Sequence, residues 1–196
     1  MKILEMDQGT DEWFDARRGI PSASNFSKII TATGKPSTQA EKYLFKLAGE
    51  KVSGITEDTY QNAAMLRGIE MEEEARQLYQ IMEDVKVEQV GFCISEGYGC
   101  SPDGLVSDKG MLEIKCPNVA THVSYLLKGT LPSDYFQQVQ GQLLVTGREW
   151  CDFMSYSPCI KPFIIRVERD EKFLALLKAE LKYCCVNLEE IINKIK

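Results

Sequence analysis

The segment "SPDGLVSDKGMLEIKCP", residues 101–117, joins an Asp-Gly turn to a Glu-x-Lys in a short apolar run. Successive side chains of a strand point to opposite faces, so Glu113 and Lys115 are expected on the same side. Asp103 lies ten residues before Glu113, where the chain can turn back over that face. Two carboxylates and a lysine on one surface predict a magnesium-dependent site for phosphodiester cleavage.

The composition predicts one globular domain over residues 1–196, because 44% hydrophobic and 27% charged residues are enough for one sizeable core. No apolar run approaches the roughly 20 residues of a membrane span, and the first residues lack the apolar stretch of a secretory signal. Seven irregularly spaced cysteines make a disulfide framework or a zinc site a poor interpretation. We therefore expect reduced thiols, a cytoplasmic location and no membrane partner.

The charge is unevenly distributed along the chain. A formal net charge of −6 argues mildly against a nucleic-acid partner. Four glutamates fall within residues 70–74, whereas Arg17, Arg18, Lys28 and Lys35 lie near the N-terminus. A locally basic groove is compatible with this pattern, and binding would then depend on few phosphate contacts or on a divalent metal.

Periodicity and turn signals predict a single α/β fold with a central mixed β-sheet flanked by helices. The predicted helices cover about 10–17, 25–32, 37–52, 62–82, 118–128, 133–146 and 171–195. The predicted strands cover 85–95, 110–117, 149–158 and 162–170.

Glu72 is unusual in the fourth predicted helix. At 100° per residue, the apolar face of this helix includes Met65, Tyr79 and Met82, and Glu72 falls inside that face. An unpaired carboxylate is costly to bury, so Glu72 is expected to have a cationic partner or to bind a metal. The other glutamates of residues 70–74 are expected to face solvent.

The helix over residues 133–146 carries several glutamines. Gln140 falls between the apolar positions of this helix, whereas Gln138 and Gln142 are expected to point away. A buried amide must be satisfied, which suits fixing a lysine, a water or a phosphate. Hydrogen bonding of Gln140 to nearby backbone is the alternative.

Six motifs, in order, carry a family resemblance: "QGTDEWFDARRGIPSAS", "RGIEMEEEAR", "SPDG", "LEIKCP", "FQQVQGQLLVTG" and "IRVERDEKF". With these six motifs, the chain resembles the phage λ exonuclease family, the YqaJ-type viral recombinase nucleases of the Pro-Asp…Glu-x-Lys superfamily. The resemblance implies a restriction-endonuclease-like core and a Mg²⁺-dependent 5′→3′ exonuclease, with Mn²⁺ able to substitute. It also implies action on linear double-stranded DNA ends for single-strand-annealing recombination, in a bacterial host and encoded by a phage or prophage.

The resemblance also implies roles for individual residues. Asp103, Glu113, the backbone carbonyl of Ile114 and Glu72 would bind the metal. Lys115 would orient or activate the attacking water, with Gln140 near it. Arg17, Ser24 and Ser101 would form a pocket for a 5′-phosphate, and Met65 would be a strand-separating wedge or a core methionine. The implied partners are two further copies of the chain in a homotrimeric ring and a single-strand annealing protein.

Two positions depart from the family pattern. A second aspartate before "SPDG" has no clear counterpart, and Glu96 is the nearest acidic residue. Thr121 and His122 replace a basic residue, and His122 is expected to be structural or to contact phosphate. Two other functions stay open: a sequence-specific endonuclease on the same core, and a DNA-end-binding module without activity.

Overall fold

The computed structural model describes residues 1–56 and 63–196, without the side chains of residues 63–67 and 69. Its helices are α1 Asp11–Arg17, α2 Ala40–Ser53, α3 Ala63–Glu83, α4 Val119–Lys128, α5 Phe136–Thr146 and α6 Glu171–Ile195, with 3₁₀ turns at Ala23–Lys28 and Ser133–Tyr135. Its strands are β1 Lys2–Leu4, β2 Val87–Glu88, β3 Phe92–Ser95, β4 Tyr98–Cys100, β5 Gly104–Val106, β6 Gly110–Lys115, β7 Trp150–Ser155 and β8 Phe163–Glu168.

The main sheet has five strands in the order β2-β5-β6-β7-β8. Only β6 and β7 run parallel, and the other neighbours are antiparallel. A parallel pair needs a long crossover, which α4 and α5 supply between the two strands. The predicted mixed sheet flanked by helices is therefore confirmed, with the Glu-x-Lys strand at its centre.

The two faces of the main sheet are covered by different helices. Met111 and Phe153 face a large core that includes side chains of α2, α5 and α6. Leu112 and Met154 face a smaller core, which α3 closes with Tyr79 and its neighbours. The alternation along β6 thus directs Glu113 and Lys115 toward α5.

A second sheet, in the order β1-β3-β4, corrects the predicted strand over residues 85–95. That segment breaks into β2 and β3, which belong to different sheets. Gly91 lies at the break, where an added Cβ would lie 2.6 Å from the Leu4 carbonyl oxygen and 2.5 Å from that of Met6. The backbone is pressed against the N-terminal segment there, so the strand cannot continue straight into the main sheet.

Helix ends follow their capping residues. Thr10 accepts from the Trp13 amide and begins α1, and Asp170 accepts from the Phe173 amide and begins α6. Both starts agree with the predicted bounds, whereas the helix expected from Ser37 begins at Ala40. Within the described residues, every helix is too short or too polar to span a bilayer.

Candidate active site

Glu113 is the centre of a buried polar cluster on the α5 face of β6. Its side chain is 1% exposed, and both carboxylate oxygens have partners. Oε1 accepts from the Lys115 ammonium and from Gln138 Nε2 at 2.5 Å. Oε2 accepts from Gln142 Nε2 at 2.7 Å. Two strand residues and two residues one turn apart on α5 thus hold one another in place.

Asp103 reaches the same cluster from the loop before β5. Its Oδ2 accepts from the Ile114 amide at 2.5 Å, which ties the loop to the Glu-x-Lys strand. Burial, followed by the negative charge of Glu113, raises the pKa of Asp103 well above its usual range. Burial alone would lower the pKa of Lys115, but the charges of Glu113 and Asp103 outweigh it and raise that pKa. One ammonium therefore lies among carboxylates whose charges it only partly offsets.

The loop of Asp103 is held by residues distant in sequence. Trp13 Nε1 donates to Ser101 Oγ at 2.9 Å, and Gln8 Nε2 donates to the Pro102 carbonyl at 3.0 Å. Arg76 Nε donates to the Asp103 carbonyl at 3.1 Å. Each of the three loop residues thus has its own anchor, and these anchors come from the N-terminal segment and from α3.

Arg17 is a half-buried cation beside this loop. Its guanidinium lies 3.8 Å from the centroid of a Trp13 ring, and Nη1 is 3.5 Å from Ser101 Oγ. Burial lowers the pKa of Arg17 to about 10. Among the side chains that the structure describes, no carboxylate forms an ion pair with Arg17. The site therefore offers a desolvated positive charge that an anion would compensate.

One cavity of about 180 Å³ is lined both by residues predicted to bind the metal or the attacking water and by residues predicted to bind a 5′-phosphate. Its walls include Asp103, Glu113 and Lys115 as well as Arg17, Ser24 and Ser101. Ser24 belongs to the 3₁₀ turn that packs against α5. Gly141 permits this contact, because a Cβ there would lie 2.3 Å from a ring carbon of Phe26. The close approach of turn and helix brings the serine to the carboxylate cluster.

Glu72 lies next to this cavity and not in it. It borders an adjoining cavity of about 950 Å³ that shares Trp13, Arg17 and Ser24 with the smaller one. Its Oε1 accepts from Arg76 Nη2 at 2.6 Å, so the expected cationic partner is present. Burial raises the pKa of Glu72, opposed mainly by Arg76. The side chain of Met65 lies outside the described residues.

Gln140, which the resemblance places near Lys115, binds main-chain groups and does not line the 180 Å³ cavity. Its amide donates to the Glu168 carbonyl at 2.8 Å and accepts from the Asp170 amide at 2.9 Å, which joins α5 to the β8–α6 corner. Gln138 and Gln142, which were expected to point away, are the glutamines that bind Glu113. The physical reason is that α5 is buried on nearly all sides, so an apolar face does not single out one glutamine. Gln138 and Gln142 are four residues apart and so lie on one side of the helix, and this spacing is the sequence signal that could have identified them as a pair.

The two departures from the family pattern lie outside the cavity. Glu96 is at the exposed β3–β4 turn and forms an ion pair with Lys178 at 2.8 Å. His122 is fully buried, with Nδ1 2.8 Å from Ser155 Oγ and Nε2 3.0 Å from the Lys161 carbonyl oxygen. His122 is therefore structural, and Thr121 lies beside it on α4.

The donor chemistry of the cavity fits a hard divalent cation. Asp103 and Glu113 offer carboxylate oxygens, which Mg²⁺ prefers. Burial and then the charge of Glu113 raise the pKa of Asp103, and a bound cation would offset both effects. In residues 1–56 and 63–196, no three acidic, histidine or cysteine side chains are already grouped as ligands. Glu72 would complete the set only from the neighbouring cavity.

Comparisons with known proteins find a matching family model and similar solved structures. The model of the YqaJ-like viral recombinase domain matches residues 12–149. An alkaline exonuclease (LHK-Exo) from Laribacter hongkongensis is 37% identical, with a TM-score of 0.86 over 95% of this chain and 96% of that chain. Its complex with dAMP gives the same values.

A more distant structure agrees in fold. A phage-related exonuclease from Haemophilus somnus 129PT is 16% identical, with a TM-score of 0.72 over 90% of this chain and 96% of that chain. A likeness at that identity concerns the fold alone. Among curated proteins, none matches the chain.

Proposed function

The chain belongs to the YqaJ-like viral recombinase family, and from this we propose that it is a Mg²⁺-dependent 5′→3′ exonuclease acting on the ends of linear double-stranded DNA. The proposal is supported chiefly by one observation. The cavity that contains two carboxylates and a lysine is also lined by an arginine and three serines, which suit a phosphate. We further propose that the enzyme works in the cytoplasm of a bacterial host, in phage-type recombination.

Asp103, Glu113, the Ile114 carbonyl and Glu72 are the residues that would hold the metal. Bound Mg²⁺, or Mn²⁺ in its place, would act as a Lewis acid for the charge that develops on the attacking and leaving oxygens. Gln138 and Gln142 fix the two oxygens of Glu113, so its carboxylate does not rotate freely. Lys115 provides a positive charge and N–H donors beside the carboxylates, which suits orienting a water molecule.

Arg17 would bind the terminal 5′-phosphate of the DNA strand. Its guanidinium is fixed against Trp13 and lacks a carboxylate partner among the described residues. A fork of N–H donors on a desolvated cation binds phosphate strongly, and Ser101 and Ser24 add hydroxyl donors nearby. Such a pocket would set the polarity, because cleavage occurs at a fixed distance from the bound end.

A digestion assay tests this function and separates it from the two alternatives. Linear duplex with Mg²⁺ should release mononucleotides, and covalently closed circular duplex should stay intact. Cleavage of circles would favour the sequence-specific endonuclease. Binding to DNA ends without any hydrolysis would favour the module without activity.

Gln142 and Gln140 offer a matched test of the α5 assignment, since both are 1% exposed on the same helix. Gln142→Met removes the hydrogen bond to Glu113 Oε2 and should lower the hydrolysis rate of folded protein about ten-fold or more. Gln140→Met breaks the contact with the β8–α6 corner and should lower the melting temperature while leaving that rate within about two-fold of wild type. Equal rate losses in the two variants would remove Gln142 from the active site.

The assembly is a separate proposal. We expect a homotrimeric ring with DNA in a central channel, because a protomer with a net charge of −6 is a weak isolated clamp for DNA. Cyclic symmetry would bring three copies of each basic patch around one duplex. Val119, Val123 and Leu127 are exposed at i, i+4 and i+8 of α4 and could be covered in such an assembly or by a single-strand annealing protein. Sedimentation of an active monomer across the micromolar range would contradict the ring.

A further inference from the structure

Arg76 is a buried guanidinium that connects two parts of the candidate site. It is 5% exposed and lies on α3, one helical turn after Glu72. Nη2 donates to Glu72 Oε1 at 2.6 Å, and Nη1 donates to Glu73. Nε donates to the main-chain carbonyl of Asp103 at 3.1 Å. A single side chain thus contacts one proposed metal-binding carboxylate directly and the backbone of another.

The side chain of Asp103 is fixed by β6, the proposed metal-binding strand. Asp103 Oδ2 accepts from the Ile114 amide, so the residue is held between α3 and β6. Without Arg76, α3 would keep its apolar contacts around Tyr79, and Tyr79 would still donate to Asp152 at 2.7 Å. Tyr79 lies about two turns beyond Glu72, whereas Met71 and Ala75 make apolar contacts beside it. At the turn that carries Glu72, Arg76 is the polar link between helix and loop among the contacts described.

We infer that Arg76 is a positioning residue for the metal-binding carboxylates, and this inference rests on the proposed function. The planar guanidinium has donors in fixed directions, so three acceptors bound to it are held at fixed separations from one another. Arg76 thereby sets the distance between Glu72 and the Asp103 loop. It also supplies the charge that allows Glu72 to lie half-buried within reach of the negative field of Glu113.

Arg76→Lys is the variant that tests the geometry. Lysine keeps the positive charge, but a compact ammonium cannot reach the Asp103 carbonyl and both glutamates in the same directions. The readout is binding of Mg²⁺ alone, without DNA, followed as the rise in melting temperature across a Mg²⁺ concentration series. Loss of partners that orient metal ligands typically weakens metal binding 10- to 100-fold. In Arg76→Lys, the rise in melting temperature should therefore require a Mg²⁺ concentration at least roughly ten-fold higher than in wild type.

Arg169→Lys is the matched control. Arg169 also binds one carboxylate, that of Glu171, and two main-chain carbonyls, those of Leu143 and Arg148. It lies at the β8–α6 corner, its side chain reaches the C-terminal end of α5, and it does not line either cavity of the site. Its replacement should lower the melting temperature of the metal-free protein without moving the Mg²⁺ series.

The outcomes separate the inference from the proposed function. A wild-type protein that shows no response to Mg²⁺ would overturn the proposed function and the inference with it. A wild-type response that Arg76→Lys reproduces at the same Mg²⁺ concentrations would overturn the inference alone. The same series also distinguishes a positioning role from simple stabilisation. A residue that only stabilises the fold changes the melting temperature without Mg²⁺, but not the Mg²⁺ concentration at which half of the rise is reached.

A measurement on the wild-type chain covers the case in which Arg76→Lys does not fold. In protein labelled with ¹⁵N-arginine and assigned through its backbone, the Nε–H resonance of Arg76 should shift as Mg²⁺ is added, because Glu72 and Asp103 are its partners. The resonance of Arg169 should stay in place. An Arg76 resonance that does not respond at saturating Mg²⁺ would contradict the inference.

Discussion

Replacing Asp103 with asparagine is expected to abolish Mg²⁺-dependent hydrolysis and, at the same time, to raise the melting temperature of the metal-free protein. A metal that polarises phosphate oxygens contributes several kcal/mol to a reaction, so the rate should fall by roughly a thousand-fold or more. Asparagine has the shape of aspartate and keeps an oxygen that can accept from the Ile114 amide. The local fold should therefore be preserved.

The rise in melting temperature follows from the sign of the pKa shift. Burial and the charge of Glu113 raise the pKa of Asp103 in the folded protein, so its ionised form opposes folding at neutral pH. A neutral amide removes that opposition. For a chain of this size, each 1 kcal/mol gained corresponds to about 2–4 °C, which thermal unfolding by circular dichroism resolves.

Asp152→Asn is the control, with an effect on stability of the opposite sign. Asp152 is a buried aspartate of β7 that binds Arg166 through both oxygens, at 2.9 and 2.8 Å, and accepts from Tyr79. Loss of its charge leaves Arg166 without its partner and should lower the melting temperature. The rate per folded molecule should stay near that of wild type. Substantial cleavage by Asp103→Asn in Mg²⁺ would contradict the metal assignment.

A strong preference for 5′-phosphorylated DNA is the second large effect. A charge-assisted contact between a guanidinium and a phosphate contributes about 1.5–3 kcal/mol, or roughly ten- to a hundred-fold in rate. Wild-type protein should thus degrade a 5′-phosphorylated duplex faster than a 5′-hydroxyl duplex by that factor. Arg17→Ala should remove most of the preference while leaving the carboxylate cluster in place. The measurement is the ratio of the two initial rates at subsaturating DNA.

Arg18→Ala is the neighbouring control for Arg17. Arg18 already has partners, since it forms an ion pair with Asp15 and donates to Thr56 Oγ1 at 3.2 Å. Its removal should reduce both rates slightly and leave their ratio unchanged. Equal rates of wild-type protein on the two duplexes would exclude a 5′-phosphate pocket. Loss of the preference in Arg18→Ala would assign the phosphate contact to Arg18 and not to Arg17 alone.

The parts of the site that could be predicted are those set by local geometry. Strand alternation alone gave the common side of Glu113 and Lys115, because it depends only on neighbours in sequence. Helical periodicity likewise indicated that Glu72 needs a cation, and Arg76 is four residues away on the same helix. The helix starts at Asp11 and Glu171 agree with the predicted bounds, and the caps found there, Thr10 and Asp170, are neighbours in sequence.

The parts that could not be predicted depend on distant contacts. Gln138 and Gln142 face Glu113 only because α5 is enclosed between the main sheet and the 3₁₀ turn, which the sequence pattern of one helix does not contain. Gln8 and Trp13 bind a loop that lies 94 and 88 positions later in the chain, and nothing in their own sequence neighbourhood indicates such a role. The break at Gly91 was missed for the same reason, since Met6 and Leu4 cause it from another part of the chain.

The wide spacing of the anchors has a consequence for biosynthesis. The ribosome releases Gln8 and Trp13 first, the Asp103 loop much later, and Gln142 later still, while α2 receives its packing partner only when α6 emerges. A nascent chain that ends soon after Lys115 therefore carries Asp103, Glu113 and Lys115 without α5, the helix that orients Glu113. Premature termination before α5 would yield fragments that contain the acidic motif and cannot assemble its surroundings. The order of synthesis thus delays assembly of the carboxylate cluster until α5 has been made.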